Sequence, residues 1–222
     1  MKKFLSIALI LLLAVSVLCL AGCQKGGNAS GDVKGAEEPV KVSNTVDITY
    51  SFGKGNFTVS VPKNEDGSPK YVFVEEKPEG ISKSASFYLV TDTAMLGFLT
   101  SGMSYNTSKD YKEKFGETKA TFDGYLEFID SELFNKSYLP GLEQFEINGR
   151  KALRYFNRAG GGGDYEYYGY FYLVGVDDIY PGSRAEIVAN YKVEERPKEV
   201  QEFDQETLDI INSLRITPVE AE

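Results

Sequence analysis

The dipeptide Asn148-Gly149, set between residues 142–147 and 150–157, constrains the fold more than any other feature of this chain. Both residues tolerate the positive φ of a type I′ turn, whose twist matches that of flanking strands, so the segment predicts a β-hairpin. A second hairpin is predicted near the start of the folded region. There Val46-Asp47-Ile48-Thr49-Tyr50 alternates, Gly53-Lys54-Gly55-Asn56 turns the chain, and Phe57-Thr58-Val59-Ser60-Val61 alternates again until Pro62. Further strands are predicted at 71–74, 86–90, 164–174 and 184–191, the last with Glu186 oddly placed in it.

Helical signals are fewer. Thr93 is expected to cap a helix over 94–100, and Ser108 a short one in which Tyr111 and Phe115 lie a turn apart before Gly116. Tyr125, Phe128, Ile129 and Leu133 keep helical spacing despite Gly124. Asp204 is expected to cap a helix with Leu208, Ile211 and Leu214 on one face, the domain closing at Arg215-Ile216. Antiparallel strands with segregated helices give an α+β fold class. No internal repeat is visible, and residues 46–218 read as one domain with a core of its own, followed by a tail at 219–222.

The region before this domain has a different character. Met1-Lys2-Lys3 precedes an apolar run over 4–20 that ends in Leu20-Ala21-Gly22-Cys23, an order that resembles the lipobox signal peptide of bacterial lipoproteins. The run is short for a permanent transmembrane helix. The resemblance implies that residues 1–22 are removed and that Cys23 receives a diacylglycerol group and becomes the first mature residue. It implies a lipid-anchored protein, carrying palmitate-type acyl chains, on the extracytoplasmic face of a bacterial cell membrane. Cys19 would be lost with the signal, leaving no cysteine for a disulfide, a thiolate nucleophile or a sulfur-ligated metal. Residues 23–45 are Gly, Ser, Asn, Lys and Glu with little apolar content, a tether spanning on the order of 25 Å.

A second resemblance covers most of residues 46–217. The Phe57-Thr58-Val59-Ser60-Val61-Pro62 strand, the Ile147-Asn148-Gly149-Arg150-Lys151-Ala152 hairpin, the Tyr-rich strand, Ala185-Glu186-Ile187-Val188 and the terminal 208–216 segment resemble small bacterial lipoproteins of the PsbP-like fold. That resemblance implies an antiparallel sheet with helices packed on both faces, a three-layer α-β-α sandwich. It also implies a binding or assembly factor more often than an enzyme, and it carries over no functional residues. Where such domains often place a tryptophan after the Val-Pro strand end, this chain has Lys63-Asn64-Glu65.

Charge and residue absences narrow the chemistry. The chain has 24 basic and 33 acidic residues, net −9, and losing Lys2 and Lys3 leaves 22 against 33, about −11. Such a surface repels phosphate backbones, so nucleic acid is not an expected partner. No histidine occurs, which removes the commonest general base and metal ligand. Ser51-Phe52-Gly53-Lys54 has the S-x-x-K spacing but falls in a predicted turn with no companion Lys-Thr-Gly, and the glycines of 160–163 lack the Lys-Ser/Thr of a phosphate loop. The acidic pairs at 64–67 and 177–178 lack the Asp-x-Asp-x-Asp-Gly spacing of a calcium loop. The expectation is no enzyme, no cofactor and no metal.

The tyrosines of 164–174 are the most unusual local feature. Strict alternation places Tyr165 and Tyr167 on one face with Phe171 and Leu173, and Tyr168, Tyr170 and Tyr172 on the other with Val174. One reading buries both rows in a central strand. The other presents one end, Tyr165 to Tyr168, for stacking on a sugar ring or a partner peptide. The candidate binding residues are therefore Tyr165, Tyr167, Tyr168, Tyr170 and Tyr172. The expected function is a monomeric, membrane-anchored, non-catalytic binding or assembly module for an envelope partner, with a small-ligand or glycan receptor as the second reading. An aromatic row lining a concavity favours the receptor, and a flat apolar patch the docking module.

Overall fold

Both hairpins form, and the sheets grow from them. In the computed structural model, which describes residues 44–103, 121–160 and 164–220, β1 (Thr45–Phe52) pairs along its whole length with β2 (Gly55–Pro62). Asn148 and Gly149 have φ of 46° and 76° and join β6 (Glu143–Ile147) to β7 (Arg150–Ala159). The expected signal segment, Cys23, the tether up to residue 43, the helix at 108–116 and Gly161 to Gly163 lie outside the described residues.

The fold class differs from expectation. The described residues are mostly β, ten strands in two antiparallel sheets with two short α-helices, and not an α+β sandwich with helices packed on both faces. A three-stranded sheet has the order β1-β2-β10, where β10 (Arg215–Pro218) includes Arg215-Ile216, at which the domain was expected to close. The other sheet has seven strands in the order β3-β4-β5-β9-β8-β7-β6. Its remaining members are β3 (Phe73–Val74), β4 (Phe87–Val90), β5 (Ala94–Gly102), β8 (Glu166–Gly175) and β9 (Ser183–Tyr191).

One reassigned segment does much to shift the class. The run capped by Thr93 is β5 and not a helix, and it pairs with β4 on one side and β9 on the other. Ala94 to Phe98 are buried on both faces, so their apolar run carries no period that separates strand from helix. Thr91 closes a hairpin there instead, because its N–H donates to the Ala94 carbonyl at 2.8 Å and its hydroxyl accepts the Ala94 N–H at 2.9 Å.

The main core lies where the small sheet packs on the large one. Phe57, Val59 and Val61 of β2 meet Phe87, Leu96, Phe98 and Ile187, and Phe87 stacks between Tyr50 and Phe98. The α-helices add patches to these layers. Helix α1 (Phe122–Asp130) is capped by Thr121 and packs Phe122, Tyr125 and Ile129 on Leu153 and Leu173, while Leu133 falls beyond its end and is exposed. Helix α2 (Gln205–Asn212) starts at Asp204, whose carboxylate accepts the Thr207 N–H at 2.9 Å, and buries Ile210 and Ile211 in the main core.

Candidate functional site

Gly169 decides where the tyrosines point. Its φ is +138°, and a Cβ there would lie 2.1 Å from the Ala189 carbonyl oxygen, so only glycine fits this close approach. Beside it the β7–β8 register slips: Asn157 faces Gly169 but Arg158 faces Tyr167, leaving Tyr168 as the extra residue of a β-bulge. Strict alternation fails at that point. Tyr167 packs with Tyr170 and Tyr172 on the side facing the small sheet, its ring 5.7 Å from that of Phe156, whereas Phe171 and Leu173 face away in separate clusters.

The five candidate tyrosines divide into two groups. Tyr170 and Tyr172 are 1% and 2% exposed and belong to the core, where burial raises the pKa of both hydroxyls. Tyr165, Tyr167 and Tyr168 are half-buried at the other end of β8. Arg158 lies 4.1 Å from the Tyr165 ring centre and Arg196 3.6 Å from that of Tyr168, so each ring is held in plane by a stacked guanidinium.

Tyr167 and Tyr168 line a cleft of about 490 Å³ at the end of the large sheet, where β4 and β9 finish and β5 and β8 begin. Met95 and Val90 supply apolar wall, and Asn190, Lys192, Glu194 and Arg196 supply polar groups. Its floor is fixed by a buried amide network. Asn157 donates to Ser82 at 2.7 Å and to Asn190 at 3.1 Å, and Asn190 donates to the Gly80 carbonyl at 3.2 Å, pinning the 78–82 loop to the sheet. The opposite wall, residues 192–201, is strapped down as well. Pro197 accepts the Tyr167 N–H at 2.9 Å, and the Tyr191 hydroxyl both accepts from the Gln201 N–H at 2.9 Å and donates to the Gln201 carbonyl. Mostly apolar walls with a few fixed polar groups are the usual makeup of a small-molecule site.

Asn190 and the 192–196 wall were not expected from sequence, although Asn190 is, like Glu186, a polar residue inside a buried strand. Glu186 is 2% exposed on the face away from the small sheet. It accepts from Lys83 at 2.5 Å and from the Ser101 hydroxyl at 3.2 Å, with Arg184 3.8 Å away. The other residues weighed for chemistry have structural partners. Ser51 donates to Asn56 at 2.7 Å, Asp66 accepts from Ser68, Asp177 accepts the Phe122 N–H at the start of α1, and Asp178 takes both ends of Arg150. Among the described residues, no three acidic or other ligating side chains are grouped to hold a metal ion, and no helix is long and apolar enough to cross a membrane. Comparison with known proteins returns no match to a family model, to a curated protein or to a solved structure.

Proposed function

We propose that this chain is a membrane-anchored extracytoplasmic lipoprotein, tethered through lipid on Cys23, whose domain is a non-catalytic receptor for a small glycan. The carrying observation is that Tyr167 and Tyr168 line a preformed concavity together with Asn190, Lys192, Glu194 and Arg196. Aromatic rings match the apolar faces of sugar rings, and amide, carboxylate and cationic groups around them match the hydroxyls. Docking of an envelope protein has less support. The large apolar side chains exposed among the described residues, Val72, Val74, Leu133, Tyr138, Val193 and Val219, come from several segments of the chain.

Two measurements test this. Intact-mass analysis of the membrane-extracted protein is expected to show a diacylglyceryl-modified Cys23 as first residue, absent from a Cys23→Ala chain, and an unmodified or uncleaved product would overturn the anchoring. Titration of the detergent-solubilised full-length chain against an oligosaccharide panel is expected to give saturable binding that Tyr168→Ala weakens about tenfold, the scale of one lost stacking contact. Absence of binding to every sugar, with one stoichiometric protein recovered by crosslinking in intact cells, would replace the receptor by the docking module.

A further inference from the structure

The inner end of the tyrosine strand opens on a second cavity, distinct from the cleft. It has a volume of about 320 Å³ and is lined by Glu143 and Phe145 of β6, Arg154 of β7, Tyr172 of β8, Glu202 just before α2, and Leu208 and Asn212 of α2. This size falls at the small end of the range for ligand pockets.

Tyr172 is 2% exposed, and its hydroxyl lies against the Arg154 guanidinium without a well-aligned hydrogen bond to any described residue, which is costly for a buried O–H unless something else meets it. Beside it the Arg154 guanidinium lies 5.0 Å from the Tyr170 ring centre. Its Nε donates to Glu143 at 2.7 Å, and its two terminal nitrogens donate to Glu202 at 3.0 and 3.2 Å. A guanidinium has five N–H groups, so the glutamates leave two, which a ligand can share with the Tyr172 hydroxyl. The two glutamates stand at the mouth, each more than half exposed, while Arg154 and Tyr172 lie deeper.

Charge balance selects the ligand. The pocket holds one cation and two carboxylates. A simple acid could reach the free N–H groups and the Tyr172 hydroxyl, but it would add a third negative charge. A simple amine would satisfy the glutamates and leave the deep donors unmet. A zwitterion satisfies both, its carboxylate toward Arg154 and Tyr172, its ammonium toward Glu143 and Glu202, and an apolar side chain against Phe145 and Leu208. We infer that this cavity binds a free α-amino acid with an apolar side chain.

The test is calorimetric titration of the detergent-solubilised full-length chain with L-leucine and L-phenylalanine, beside leucinamide, which lacks the carboxylate, and 4-methylpentanoate, which lacks the ammonium. At least one amino acid is expected to bind, with both truncated analogues at least tenfold weaker. Tyr172→Phe, which keeps the ring and removes only the hydroxyl, is expected to weaken the amino acid about fivefold while leaving sugar binding at Tyr168 unchanged. No heat or melting-temperature shift with either amino acid would overturn the inference, as would leucinamide or 4-methylpentanoate binding as tightly as leucine. Because the sugar and amino-acid titrations use separate residues, either site can fail without the other.

Discussion

Gly169 and Glu186 show how single residues set this molecule's behaviour. At Gly169 any side chain needs a left-handed backbone and must displace the neighbouring β9 strand at the Ala189 carbonyl. Gly169→Ala is expected to cost at least about 2 kcal/mol of unfolding free energy in a urea titration. It should also lower sugar affinity, since the bulge that turns out Tyr168 is lost. Glu186 is a buried carboxylate that accepts from Lys83 and Ser101, with Arg184 close by. Replacing it by alanine leaves Lys83 and the Ser101 hydroxyl short of an acceptor, and an expected loss of about 2 kcal/mol follows from removing charge-assisted hydrogen bonds. An unchanged melting temperature in Glu186→Ala would show that Lys83, which is partly exposed, simply turns to water.

Among the elements, the two local capping and turn motifs do more than close their own segments. Asn148 turns the β6–β7 hairpin, and its side-chain amide donates to the Asn212 and Leu214 carbonyls, both at 2.9 Å, so the turn also fixes the end of α2 and the entry to β10. Asn148→Gly keeps the turn geometry and removes these two bonds. It should cost about 1–2 kcal/mol, read by thermal unfolding, whereas a purely local turn would lose nothing. Asp204→Ala removes the N-cap of α2 at an expected cost of about 1 kcal/mol. By contrast, β5 carries its assignment in no local motif, because a strand buried on both faces reads as a plain apolar run.

The titration profile of the whole molecule is unusual, because the chain contains no histidine and, among the described residues, every carboxylate with a resolved shift is lowered. Asp47 is held below the ordinary carboxylate value by the Ser60 hydroxyl and Arg215, and Asp178 is held below it by Arg150. Groups lowered in the folded state give stability that is complete above their unfolded pKa, near 4, and is lost as pH falls through the folded value. Buried tyrosines work at the other end. Burial raises Tyr125, Tyr172 and Tyr191 above 10, so the unfolded chain ionises first and stability falls as pH rises past about 10. The melting temperature should therefore be flat from about pH 5 to 9 and fall on both sides, and a step near pH 6–7 would contradict this account. Much was legible in the chain itself, namely the two hairpins, the Asn-Gly turn of the second and the Asp204 cap of α2. Each of those depends on a few consecutive residues whose own geometry and hydrogen bonding decide the outcome. Only the tertiary structure decided that the last segment returns as β10 and that a second sheet covers the first where a helical layer was expected. It also decided that a bulge sends Tyr168 to an outer cleft, while Tyr172, in regular register, lines an inner cavity. Those outcomes rest on contacts with strands far away in sequence, which no local period records.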